Sequence, residues 1–126
     1  MPIKGAQQVL VETFAGDVAV PQYAAVVQGT DDYHCTLPAA QNATGFLGAA
    51  WDSNVEVGSS VPVVMIGTAW MIASAAIAAG DELIIANAQG QVQPASAVAA
   101  GTANVIGTAL STTTAAGDIV LVKLSV

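Results

Sequence analysis

The sequence predicts an all-β domain, a small sandwich or barrel built from short strands joined by tight turns. Two observations carry that expectation. A glycine–aspartate turn recurs ahead of β-favouring runs, at Ala78 to Asp81 before Leu83-Ile84-Ile85 and at Ala115 to Asp118 before Ile119-Val120-Leu121-Val122. Elsewhere apolar residues alternate with others at a period of two, the spacing of a half-buried strand. The helix candidates, Met71 to Ala79 and Ala95 to Ala100, are alanine-rich but so short that single turns or loops serve equally well.

Taken in order, Gln8, Leu10 and Glu12 alternate with Val9 and Val11, so the chain opens on a first strand or an N-terminal arm over residues 1–12. Residues 13–126 then form a single β domain. Ala15-Gly16-Asp17 before Val18-Ala19-Val20 reads as a third copy of the turn. Gly29 to Gly45, with Asp31, Asp32, Pro38 and Asn42, shows no period and reads as a long surface loop. Val55 and Val57 flank Glu56 as a strand would, and Val57-Gly58-Ser59-Ser60 occupies another turn slot before Val61. Leu83 to Ala86 and Gln91-Val92-Gln93 form a hairpin across Asn87 to Gly90. Pro94 stops the hairpin or marks an edge strand. At the end Val120, Val122, Leu124 and Val126 alternate with Leu121, Lys123 and Ser125. A second repeat ties the middle to the end: Ile66-Gly67-Thr68-Ala69 recurs as Ile106-Gly107-Thr108-Ala109.

Composition removes most functions. Of 126 residues only 9% are charged, against about 25% in an ordinary soluble domain, and the balance is two lysines to nine acids, for a net charge of -7. Without cations to displace counterions from phosphates, nucleic acid is not an expected partner. Val61 to Ala79 holds no charge, yet Pro62, Gly67 and six alanines make it a poor membrane span, and no Lys or Arg flanks it. No membrane partner is expected. Lys4 is followed by Gly5-Ala6-Gln7-Gln8, so no secretory signal is read at the start. With 26 alanines and 54% hydrophobic residues, the chain is apolar through small side chains. That composition points to burial in an assembly.

The chemistry-bearing residues are few. Cys35 is the one cysteine and His34 the one histidine, and adjacent residues on an extended chain face opposite ways, so neither activates the other. Asp31-Asp32 with Asp17 or Asp52 lacks the alternating ligand spacing of a calcium loop. The expectation is therefore of no catalytic residue, no cofactor and no metal. Asn42-Ala43-Thr44 is a glycosylation sequon without a secretory context. Trp51 and Trp70 stand out in so alanine-rich a chain, either as core filling or as interface anchors.

From Gly48 onward the order of strands and turns resembles the small capsid-decoration, or cement, proteins of tailed bacteriophages. Gly48-Ala49-Ala50 leads to the Val57-Gly58 turn and Val61-Pro62-Val63. Ala79-Gly80-Asp81-Glu82-Leu83 and the Gly90 hairpin follow, then Val105 to Ala109 and the strand from Asp118 to Leu124. The resemblance covers residues 45–126 and implies a non-enzymatic protein. It would bind the exterior of an assembled head, as a homotrimer, and bridge copies of the major capsid protein. It would reside on the virion and, during assembly, in the host cytoplasm. The segment from Pro2 to Glu12 either adds a strand to a capsid edge or is the first strand of its own sheet. Expected capsid or oligomer contacts are Pro2, Ile3, Val9, Val11, Trp51 and Trp70. A fibre- or pilin-like surface subunit and a small-ligand-binding β-barrel remain as alternatives.

Overall fold

The computed structural model describes residues 8–54 and 56–125. Among the described residues nine strands run in the order β1 (Gln8–Gly16), β2 (Ala25–Gln28), β3 (His34–Thr36), β4 (Phe46–Ala50), β5 (Ser60–Ile72), β6 (Glu82–Ile85), β7 (Val92–Pro94), β8 (Gly107–Ala109) and β9 (Ile119–Leu124). Their spatial order is β1-β3-β2-β4-β5-β9-β8-β6-β7, with β1 also paired to β5. That extra pairing closes β1, β3, β2, β4 and β5 into a five-stranded barrel, and the other four strands extend from it as a sheet. The fold is all-β; among the described residues the one helical turn is a 3-10 turn at Ala95–Ala97.

β5 belongs to both halves. Its first part pairs antiparallel with β1 and β4, and its last five residues, Thr68 to Ile72, pair with β9. The change falls at Gly67, whose φ of 111° lies where L side chains are strained, so glycine lets the strand turn from one sheet into the other.

Strand alternation builds two cores. Phe14, Val26, Cys35, Ala50, Val61 and Val63 fill the barrel interior. Ala25, Val27, Ala49 and Val64 point outward from the same strands and pack against Met71, Leu83, Ile85, Val120 and Val122 of the sheet. At about 25 cal/mol per Å² of apolar surface removed from water, such burial is the main favourable term in folding. Ala25 and Ala49 on the barrel wall, opposite Ala69, Ala73 and Ala109, are small enough to let the sheet approach closely.

The two sequence repeats become one structural device. β8 and β5 flank β9 in the same register, with Thr68 and Thr108 both opposite Lys123 and Ala69 and Ala109 both opposite Val122. The two Ala-Ala-Gly-Asp turns are also equivalent. Asp81 accepts from the Ala78 N–H at 2.9 Å and Asp118 from the Ala115 N–H at 3.1 Å, with Gly80 at φ 94° and Gly117 at φ 91°. The hairpin across Asn87 to Gly90 forms as expected, and β7, ending at Pro94, is the edge strand.

Three local expectations are corrected. Gly16 is not a positive-φ turn glycine; it ends β1, where an added Cβ would meet Asn54 Nδ2 at 2.6 Å. Val57 lies in a turn, its neighbour Glu56 accepting from the Ser59 N–H at 3.2 Å, so the apparent alternation there reflects no strand; Val55 lies outside the described residues. The stretch from Gly29 to Gly45 is largely loop, but His34–Thr36 within it forms β3, parallel to β1 and antiparallel to β2. A three-residue strand is too short to show a period, and its place is set by long-range pairing.

Candidate functional site

The outward-facing strand residues form the candidate surfaces. On β9, Val120, Val122 and Leu124 are buried while Ile119 is half exposed and Lys123 exposed. Register places Ile72, Trp70 and Thr68 of β5 beside Ile119, Leu121 and Lys123 respectively, all on the outer face. Trp70 is half-buried and lines an apolar groove with Tyr23 and Ile119. A second apolar groove runs between Val9, Ile66, Leu110 and Leu124, with Lys123 at its side.

Trp51 follows β4 and is 40% exposed, so it is not core filling. Its backbone is fixed, since its N–H donates to the Pro62 carbonyl at 2.8 Å and its own carbonyl accepts from Gln22 Nε2 at 3.2 Å. Val9, 74% exposed, and Val11, 43% exposed, lie on the outside of β1. Residues 8–12 thus pair within the protein's own sheet. Pro2 and Ile3 lie outside the described residues. Of the expected contacts, the structure brings Val9 and Val11 together on one strand and sets Trp51 and Trp70 apart from them.

Beside the first strand the barrel is unzipped. β1 pairs with β3 only at Ala15 and Gly16. Ahead of that point a cleft of about 590 Å³ opens between Leu10, Glu12 and Phe14 of β1 and Gln28, Asp32, Tyr33, Leu47 and Met65. The Phe14 and Tyr33 rings lie 5.7 Å apart at 37°.

The far wall of this cleft is braced by Asp17. Its Oδ1 is 2.7 Å from His34 Nδ1, and its Oδ2 accepts from the Thr30 N–H at 2.9 Å and the Thr30 hydroxyl at 3.3 Å. The His34 hydrogen bond, helped by the Thr30 amide, holds the Asp17 carboxyl below its ordinary value of 3.8. Asp17 therefore turns toward the loop it anchors, not toward Asp31-Asp32. His34 and Cys35 do point apart: the imidazole reaches Asp17 while Cys35 is buried in the barrel. Burial pushes the Cys35 thiol up to about 11, with the nearby Asp17 charge adding to it, so it stays protonated and unreactive.

Two polar nodes escaped the sequence reading. Asn54, buried, accepts from the Val20 N–H at 2.6 Å and donates to the Glu56 carbonyl at 3.0 Å, tying the β4–β5 loop to the barrel end. Asn42 accepts from the Asn104 N–H at 2.7 Å and donates to the Thr102 carbonyl at 2.9 Å. The sequon asparagine is thereby committed to an internal clamp. An Asn-Ala-Thr match carries no sign of such a partner 62 residues away. Among the described residues no three His, Cys, Asp or Glu side chains gather as a metal-binding group.

An apolar sheet face, an exposed tryptophan with a fixed backbone and an open barrel seam are exposed apolar surfaces of the kind that marks protein–protein interaction sites, so the fold and surfaces of the chain are those of a structural, all-β module. It belongs to the phage cement protein family, which it matches over residues 3–124. Membership makes it a capsid decoration and stabilising protein, associated with the phage capsid. A solved structure with the same fold is the head fiber gp8.5 N base in bacteriophage phi29, with a TM-score of 0.68 and 21% identity over 92% of this chain and 93% of that one. No curated protein matches the chain.

Proposed function

We propose that the protein docks as a homotrimer on the outside of assembled phage heads and bridges neighbouring copies of the major capsid protein. It does so by contact alone, without catalysis, after folding in the host cytoplasm. The observation that carries this reading is the family match over residues 3–124, and the exposed apolar surfaces described above support it. The barrel interior is filled by Phe14, Val26, Val61 and Val63, which speaks against a ligand-binding barrel. A ligand that binds only the assembled shell stabilises it by RT ln(1 + [L]/Kd), about 2.7 kcal/mol per site at a hundredfold excess over Kd.

The test uses heads assembled without the protein. Purified protein added to them should co-sediment and raise the temperature at which they release DNA. Decorated and bare heads that release DNA at the same temperature would overturn the stabilising role. Sedimentation of the free protein as a stable monomer at micromolar concentration would remove the trimer from this reading.

A further inference from the structure

The edge of β1 that faces the cleft carries backbone groups without a strand to pair with. The direction of each group follows from the ladder. The Ala15 N–H donates to the Tyr33 carbonyl at 2.8 Å, on the β3 side, whereas the Gly16 N–H donates to the Ser59 carbonyl at 3.0 Å, on the β5 side. Alternation then turns the N–H and C=O of Val11 and Thr13 toward the cleft. Their register partners on β5, Val64 and Pro62, agree: proline has no N–H to give, and the Pro62 carbonyl is taken by Trp51. Among the described residues no strand pairs with that edge. Proteins ordinarily blunt such an edge with charge, proline or a bulge. Here Val9, Leu10 and Val11 are all exposed, a bulge interrupts the β5 register near Leu10, and Glu12 is the one charge on the strand.

We propose that this edge is a strand-addition site for an extended, cationic segment of the shell protein. The segment pairs with Val11 and Thr13 and places a lysine or arginine between Glu12 and Asp32, against the faces of Phe14 and Tyr33. This rests on the head-binding reading above and names how that binding is made. Two repeats of unpaired N–H and C=O call for a backbone in β conformation, since they supply the affinity in this mode of recognition. The cleft selects the charge: Glu12 and Asp32 line it and, among the described residues, no Lys, Arg or His does, while aromatic faces favour an ammonium or guanidinium group. A second copy of this chain is disfavoured by its own charge: with nine acids against two lysines it is repelled from an acidic cleft. Asp17 holds the Asp32–Tyr33 wall in place before the partner arrives.

Three variants test the site in co-sedimentation with bare heads, each checked by circular dichroism for a retained thermal transition. Thr13→Pro removes an edge N–H without removing a bond to β5. Glu12→Lys with Asp32→Lys reverses the cleft's charge. Glu56→Lys with Glu82→Lys, both exposed and outside the cleft, makes the same change in net charge. The first two should weaken head binding at least tenfold and the third should bind like the parent. Parent binding with all three variants unchanged overturns the edge alone. A parent that fails to bind heads overturns the head-binding reading and the edge with it. Variants that bind heads normally but lose self-association give the edge to a second copy, which also overturns the proposal.

Discussion

Cys35 sits among Phe14, Val26, Val61 and Val63 with no exposed surface. Its role is volume, and Cys35→Ser places a hydroxyl where no partner waits. The substitution should cost about 1–3 kcal/mol, read as a lower denaturation midpoint, while Cys35→Ala should cost less; equal stability of Cys35→Ser and the parent would contradict this placement. Asp118 makes a second residue-scale prediction. Hydrogen bonds donated by the backbone N–H of Thr114 first, then of Ala115, hold its carboxyl below the ordinary 3.8. A group whose folded value is depressed adds stability above its unfolded value and loses it as pH falls through the folded one. Melting temperature should therefore drop on acidification below about pH 4, and Asp118→Asn should flatten that drop. An unchanged slope in the variant would refute the assignment. At this scale sequence revealed that His34 and Cys35 face apart, because adjacency on a strand dictates it. It did not reveal the Asp17–His34 brace or the Asn54 and Asn42 nodes, which depend on His34, Val20 and Asn104, lying 17, 34 and 62 residues away respectively.

Strands with their own period or turn were legible as elements: β6, β7 and β9 fall where alternation or the hairpin glycine placed them, and β1 lies where alternation put it but runs on through Gly16, past the boundary expected after Glu12. β3 was hidden, being three residues held by neighbours on both sides. The repeats were visible as words, but their equivalence around β9 needed register. Gly67 shows what an element boundary depends on. With φ at 111°, Gly67→Ala should destabilise the protein by about 1–3 kcal/mol, through strain at the point where β5 leaves the barrel. A thermal midpoint equal to the parent's would show that β5 can turn elsewhere.

For the whole molecule, the all-β class and the cement resemblance followed from turn spacing and strand order, which are local properties. The closed ring did not, because closure depends on β1 returning to β5 across some fifty residues. Nor did the cleft, which exists because β3 meets β1 for two residues and then diverges. Of the residues expected at interfaces, Val9, Val11 and Trp51 are exposed, as an apolar surface requires. Glu12, Asp32 and Tyr33 gave no motif, since their common feature is position around a gap in a barrel wall.

The place of β9 has a consequence for how the chain emerges from the ribosome. It is the last strand among the described residues, yet it lies between β5 and β8 and supplies Val120, Val122 and Leu124 to the core between the two halves. A nascent chain halted before Ile119 has its barrel strands complete but leaves Ala69, Met71 and Ala109 without their cover. The barrel strands are thus all synthesised before β9, whereas the core between the two halves closes only once β9 pairs with both Gly-Thr-Ala segments, Gly67 to Ala69 and Gly107 to Ala109.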